Sequence, residues 1–167
     1  MTGKLDEPAS ATAAAFVQQF REVWAAPTIG RLDALTHPDV CYTQPLIADV
    51  RGREQASAYW RRVFTLMPDL HIDVVNWAVS ADNLVYIEFL IKGTLGGTSV
   101  SVPAIDRYEL DGSGRVRRRI LYCDALTMAA SVVRRPRALA ALLRQGTRII
   151  LAAGISAIQS TRRGGDR

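Results

Sequence analysis

The sequence predicts an α+β domain in which N-terminal helices pack into a curved antiparallel sheet, with an amphipathic helix added at the C-terminal end. Three observations predict it. Apolar residues recur at spacings of three and four up to Pro68; beyond it the pattern turns to period two or to continuous β-type runs; and glycine-rich turns separate those runs as hairpins in series.

In order along the chain, residues 1–9 are polar and read as a flexible leader. Ala13, Phe16, Val17, Phe20, Val23 and Trp24 then form one apolar stripe on a helix of about four turns, closed by Pro27. A second helical piece around Arg31 to Leu35 ends before Pro38, and Val40 to Gln44 follows as a short strand before Pro45. Gly52 opens a third helix, whose stripe of Ala56, Tyr59, Trp60, Val63, Phe64 and Met67 stops at Pro68. Four strands are expected at His71 to Val79, Leu84 to Lys92, Thr98 to Leu110 and Val116 to Cys123. Gly93, Gly96 and Gly97 punctuate one turn, and Asp111 to Gly114 another. Past Asp124 the pattern is helical again, with Leu139, Leu142, Leu143, Ile149 and Ile150 on one face and Arg137, Arg144 and Arg148 on the other. The expected organisation is a leader over 1–9, one folded domain over 10–128 and a basic helical extension over 129–167.

A chain of 167 residues suits one domain, and 49% hydrophobic against 22% charged residues excludes intrinsic disorder. No uncharged run exceeds 13 residues, too short to cross a membrane. The net charge of +5 is unevenly spread: residues 1–112 hold 9 Lys and Arg against 14 Asp and Glu, whereas residues 113–167 hold 12 against 2. The basic end contains one aromatic residue, Tyr122, and no duplex-reading motif, so no nucleic acid is expected as a partner. Two cysteines and two histidines, without companions at ligand spacing, give neither a disulfide framework nor a metal site. No cofactor is expected. No secretory signal is visible at the start, and the default expectation is a cytoplasmic protein.

Asp106 is the most informative residue. Alternation along Val100 to Leu110 puts it on one face with Val102, Ala104, Tyr108 and Leu110, where an unpaired charge is costly. It is expected either to be protonated or to be paired with a cation, and Arg119 on the neighbouring strand is the candidate partner. A neutral Asp106 donates a hydrogen bond to a developing enolate. An ionised one acts as a base or only as structure.

The order of elements with the run Phe16 to Pro45, the Gly52 to Trp60 helix start, Met67 to His71, Lys92-Gly93-Thr94, and Ala104 to Tyr108 through Gly114 to Val116 resembles the nuclear transport factor 2-like superfamily. The likeness spans roughly residues 12 to 128 and is to ketosteroid isomerases and SnoaL-like polyketide cyclases in particular. It implies a cone-shaped α+β fold around a small-molecule cavity. In ketosteroid isomerases a tyrosine and a protonated aspartic acid stabilise an enolate while a second aspartate moves the proton, a case in which a carboxylic acid is kept neutral by an apolar site. The resemblance puts Asp106 on the oxyanion acid, but Phe20 on the tyrosine and Gln44 on the proton-transfer aspartate. The last-strand aspartate of SnoaL-like cyclases and epoxide hydrolases falls on Leu121, and Asp124 alternates to the opposite face from Arg117, Arg119, Leu121 and Cys123. Each catalytic set is thus incomplete. The implied pocket is lined by Phe20, Tyr42, Gln44, Trp60, Val85, Ile87, Phe89, Arg119, Leu121 and Cys123, with Asp106 as its catalytic residue; Phe20 reads better as core than as lining, and Cys123 as an inert thiol.

Two readings of function follow. One is an isomerase or cyclase without cofactor, acting on an apolar polyketide- or steroid-like carbonyl compound. The other is a non-catalytic binding or assembly module. A small apolar ligand and a homodimer are the expected partners, with Tyr86 and Glu88 facing a subunit interface or solvent. The C-terminal helix either closes over the cavity or packs at a dimer interface, or it lies on an anionic membrane surface.

Overall fold

A computed structural model describes residues 7–45, 47–80 and 82–124. The C-terminal helix and its arginines, and the first six residues of the leader, lie outside the described residues. The element order is α1 (Glu7–Ala25), α2 (Ile29–Ala34), β1 (Thr36–Gln44), β2 (Ile47–Arg51), α3 (Gly52–Leu66), β3 (His71–Val79), β4 (Val85–Leu95), β5 (Thr98–Leu110) and β6 (Val116–Cys123). Helix α1 starts inside the expected leader, because proline is tolerated in the first turn, where its missing N–H has no intrahelical partner to lose. Among the described residues no helix is long and apolar enough to cross a membrane.

Six strands form one sheet in the order β2-β1-β6-β5-β4-β3. The meander β3 to β6 is antiparallel as expected. The sheet as a whole is mixed rather than antiparallel, because β6 returns alongside β1 and pairs with it in parallel. Strand β1 is longer than the sequence suggests and begins at Thr36, running through Pro38. A proline is accommodated there because its neighbourhood is paired to neither side: the β6 register breaks between Thr36 and Cys41, and the β2 ladder starts at Cys41. Strand β2 was not expected. It is five residues long and buries only Val50, so it carries no alternation to read.

Three helices cover one face of this sheet: α1 lies against β3, and α3 lies against β1 and β2. That face is apolar through Val40, Ile72, Val85, Ile87, Phe89, Ala104 and Leu121. Burying one such side chain stabilises the fold by about 1.5–3 kcal/mol, so the helix–sheet layer is the principal source of stability. Phe16, Phe20 and Trp24, one helical turn apart on α1, form a ladder of tilted rings with centroids 6.1 and 6.0 Å apart. At the far edge, Gly93 lets β4 pass close to the α3–β3 connection; a Cβ there would stand 3.3 Å from the Leu70 Cα and 2.9 Å from the Met67 methyl carbon.

One irregularity positions the site. On β6, Val116 pairs with Leu110 and Arg118 with Glu109, so Arg117 is an extra residue opposite a single step of β5. The bulge changes the phase of the strand. Val116 and Arg119 both point inward although they are three apart, and Arg117 is exposed. The expectation that Arg117 shares a face with Arg119, Leu121 and Cys123 is therefore corrected for Arg117.

Candidate functional site

The inner face of β5 carries Ala104, Asp106 and Tyr108 by simple alternation, all buried. Arg119, aimed inward by the bulge, stands on β6 between Tyr108 of β5 and Tyr42 of β1 in the strand register. From there its Nε donates to Asp106 Oδ2 at 2.7 Å. The Tyr108 hydroxyl donates to the same oxygen at 2.6 Å. Asp106 is 1% and Arg119 5% exposed, so this is an ion pair inside the core. The guanidinium carbon also lies 5.5 Å from the Trp60 ring centre and 5.7 Å from that of Tyr42.

Burial pushes the Asp106 carboxyl above its usual range, and the Arg119 charge, its hydrogen bond and that of Tyr108 pull it back part of the way. For Arg119, burial acts to lower the value, but the Asp106 carboxylate together with Tyr108 and Tyr59 more than offsets this and holds it above the ordinary arginine range. The two directions disagree about how firmly Asp106 is ionised. Charge balance decides: a neutral Asp106 would leave the guanidinium unpaired in the core, which costs more than keeping the pair. Asp106 is ionised and paired, and of the two expected states this is the one the geometry favours. Tyr108 is held well above the ordinary phenol range, first by burial and then by the neighbouring carboxylate, so it stays a donor.

The pair does not use all its atoms. Asp106 Oδ1 and Arg119 Nη1 are buried without a hydrogen-bond partner among the described residues, and so are Gln44 Nε2 and Trp60 Nε1. Gln44, at the inner end of β1, accepts from the Tyr59 hydroxyl at 3.1 Å through Oε1. Burial raises the Tyr59 phenol above its ordinary value, against the lowering effect of the Arg119 charge.

Phe20, Tyr42, Trp60 and Arg119 line one internal space, together with Phe16, Trp24, Leu32, Leu35, Thr36, Tyr108 and Val116. Val85, Ile87 and Phe89 are fully buried on β4, where Ile87 flanks Asp106 in the register and Phe89 packs on Phe20 at 6.2 Å. Leu121 flanks Asp106 from β6, while Cys123 is half-buried at the strand end, its thiol pushed up by burial. The space itself is about 20 Å³, enough for one water-sized group and far below the several hundred Å³ of a drug-sized site. The aromatic rings fill what the sequence presents as a cavity. Tyr108, Tyr59 and Thr36 were not singled out from the sequence. Tyr108 carried a signal, two residues from Asp106 on the same strand face; Tyr59 and Thr36 enter only through tertiary packing.

The family model of the SnoaL-like domain matches residues 17–119. Among solved structures, one described as a SnoaL-like polyketide cyclase from Jannaschia sp. CCS1 is 21% identical with a TM-score of 0.65, over 77% of this chain and 96% of its own. An LEH-like epoxide hydrolase from M. tuberculosis is 19% identical with a TM-score of 0.62, over 78% and 96%. A steroid delta-isomerase from Pseudomonas aeruginosa is 23% identical with a TM-score of 0.58, over 84% and 97%. At these identities the likeness is one of fold. No curated protein matches the chain. The helix order, the sheet that carries Asp106 and Arg119 on its inner face, and a family match over most of the described residues lead to one conclusion: the chain belongs to the SnoaL-like domain family, with the nuclear transport factor 2-like fold.

Proposed function

We propose that this protein binds an apolar carbonyl compound at the Asp106–Arg119 pair and enolises it, as an isomerase or cyclase without cofactor. The observation that carries the reading is a buried ion pair in which each member keeps one unused atom, Asp106 Oδ1 and Arg119 Nη1. Oδ1 takes a proton from the carbon next to the carbonyl, and burial makes that carboxylate a stronger base than an exposed one. Nη1 donates to the carbonyl oxygen as it becomes an enolate. In isomerisation the proton returns from Asp106 to the far carbon of a conjugated enolate; in ring closure the enolate carbon attacks a second carbonyl carbon, whose π bond breaks and whose oxygen takes that proton. Asp106 thus acts as an acceptor, not as the neutral donor of the ketosteroid isomerases. Phe20 must move for a ring to enter, given the space of about 20 Å³.

The same small volume favours a second reading, a non-catalytic ligand-binding or assembly module, with Phe20, Gln44 and Leu121 standing where relatives carry catalytic groups. One experiment separates them. Cyclic enones and ketones are incubated with the protein in D₂O and deuterium uptake is read by mass spectrometry. Exchange that falls by about 100-fold or more in Asp106→Asn supports enolisation. Exchange equal in wild type and Asp106→Asn, or none with any compound that binds, leaves the binding module.

A further inference from the structure

The site has more donors than a carbonyl oxygen needs. Gln44 is 7% and Trp60 6% exposed, yet Gln44 Nε2 and Trp60 Nε1 have no partner among the described residues. Leaving two buried N–H groups unpaired costs about 1–3 kcal/mol each, too much for positions that a leucine and a phenylalanine would fill without penalty. The two side chains belong to one neighbourhood. Tyr59, whose hydroxyl is bonded to Gln44, packs its ring 4.8 Å from that of Trp60, and Tyr42, two residues before Gln44 on the same strand face, packs at 6.4 Å. The Arg119 guanidinium lies over Trp60 and gives this side of the site a positive potential. The carboxylate that balances it, Asp106, is engaged on the Nε edge.

A neutral carbonyl oxygen accepts two hydrogen bonds, and Arg119 Nη1 supplies one. Gln44 Nε2 and Trp60 Nε1 bring the unpartnered donors to three, one more than that oxygen takes, and excess donors beside a cation are matched to a second oxygen that is anionic. We propose that Gln44 Nε2 and Trp60 Nε1 form a carboxylate subsite, so that the ligand is an apolar carboxylic acid bound by its carboxylate. This rests on the proposed function only in taking the buried pair as the place where ligand binds. It concerns what the ligand carries, not whether it is turned over.

The probes are benzoate and its neutral counterpart benzamide, titrated against the full chain and followed by the indole N–H resonance of Trp60, assigned with Trp60→Phe. Benzoate should bind at least tenfold tighter than benzamide and shift that resonance downfield. Trp60→Phe, which keeps an aromatic ring and deletes the N–H, should lower benzoate affinity by about tenfold, the worth of one hydrogen bond to a charged acceptor. Gln44→Glu should abolish benzoate binding and spare benzamide. Equal affinities for the two probes, or unchanged benzoate affinity in Trp60→Phe, would overturn the subsite. Because Gln44→Glu buries a charge, Trp60→Phe carries the test if that variant does not fold. Deuterium exchange with no preference for benzoate refutes the subsite and leaves enolisation standing; the preference without exchange does the reverse.

Discussion

Replacing Arg119 with Met removes one charge of a buried pair and keeps most of the side-chain volume. Asp106 is then a lone carboxylate in the core, its side chain 1% exposed, with only the Tyr108 hydroxyl as donor. Breaking a buried pair in this way costs about 3–5 kcal/mol, a large part of the total stability of a domain this size. The loss depends on pH with a definite sign. Burial already raises Asp106 above its ordinary value of 3.8, and the variant loses the Arg119 charge that lowers it. The folded state therefore binds the Asp106 proton more tightly than the unfolded chain does. Its contribution to stability is complete below 3.8 and is lost as pH rises through the elevated folded value, by about 1.4 kcal/mol per pH unit across that window. Urea unfolding of wild type and Arg119→Met at a series of pH values measures this directly. The deficit should be about 3–5 kcal/mol at neutral pH and should shrink on acidification towards the roughly 1 kcal/mol of a lost hydrogen bond. Adding Asp106→Asn to Arg119→Met should restore most of the neutral-pH loss. A deficit independent of pH, or a double variant no more stable than the single one, would refute the ionised pair.

Tyr108→Phe deletes the second donor to Asp106 Oδ2 while preserving the ring contacts with Phe16 and Phe20. Thermal or urea unfolding should show a loss of about 1.5–3 kcal/mol, and no loss would mean that the hydroxyl does not hold the carboxylate. Asp69 clamps the far end of β4 by accepting from the Thr94 backbone N–H and hydroxyl at 2.8 and 2.7 Å, and the hydroxyl bond, first among these, holds its carboxyl below the usual range. Its contribution is therefore present above the ordinary carboxylate value and lost as pH falls through the lowered one. Asp69→Asn should be less stable than wild type at neutral pH, and the two unfolding midpoints should converge in acid; a constant gap would exclude the titration.

Much of the fold was legible because the meander strands announce themselves. Strands β3, β5 and β6 begin and end where the sequence predicts, since each alternates or is β-rich between glycine or proline signals. Strand β2 was not, because Ile47–Arg51 buries one residue and carries its identity in its partner β1. The parallel β1–β6 contact was also hidden, since neither strand contains a local sign of the other. At the site, Asp106 and Arg119 were readable as a charge on an apolar face and a cation on the adjoining strand. The fullness of the space was not readable: a list of aromatic residues on inner faces is equally a cavity wall or a core, and only ring-to-ring distances of 5–6 Å decide it.

The extra residue at Arg117 has a consequence for how this site can change. With a period of two, the same letters without the bulge would turn Arg118 and Ile120 inward in place of Arg119 and Leu121, whereas deletion of Arg117 would straighten the strand and leave Val116, Arg119 and Leu121 facing the helices. The identity of the pocket's cation is thus set by where the strand bulges as much as by its letters. Loss of that one codon would remove the bulge and leave the Asp106–Arg119 pair in its register. The bulge is thus a point at which β6 can lose a residue without changing which cation reaches Asp106.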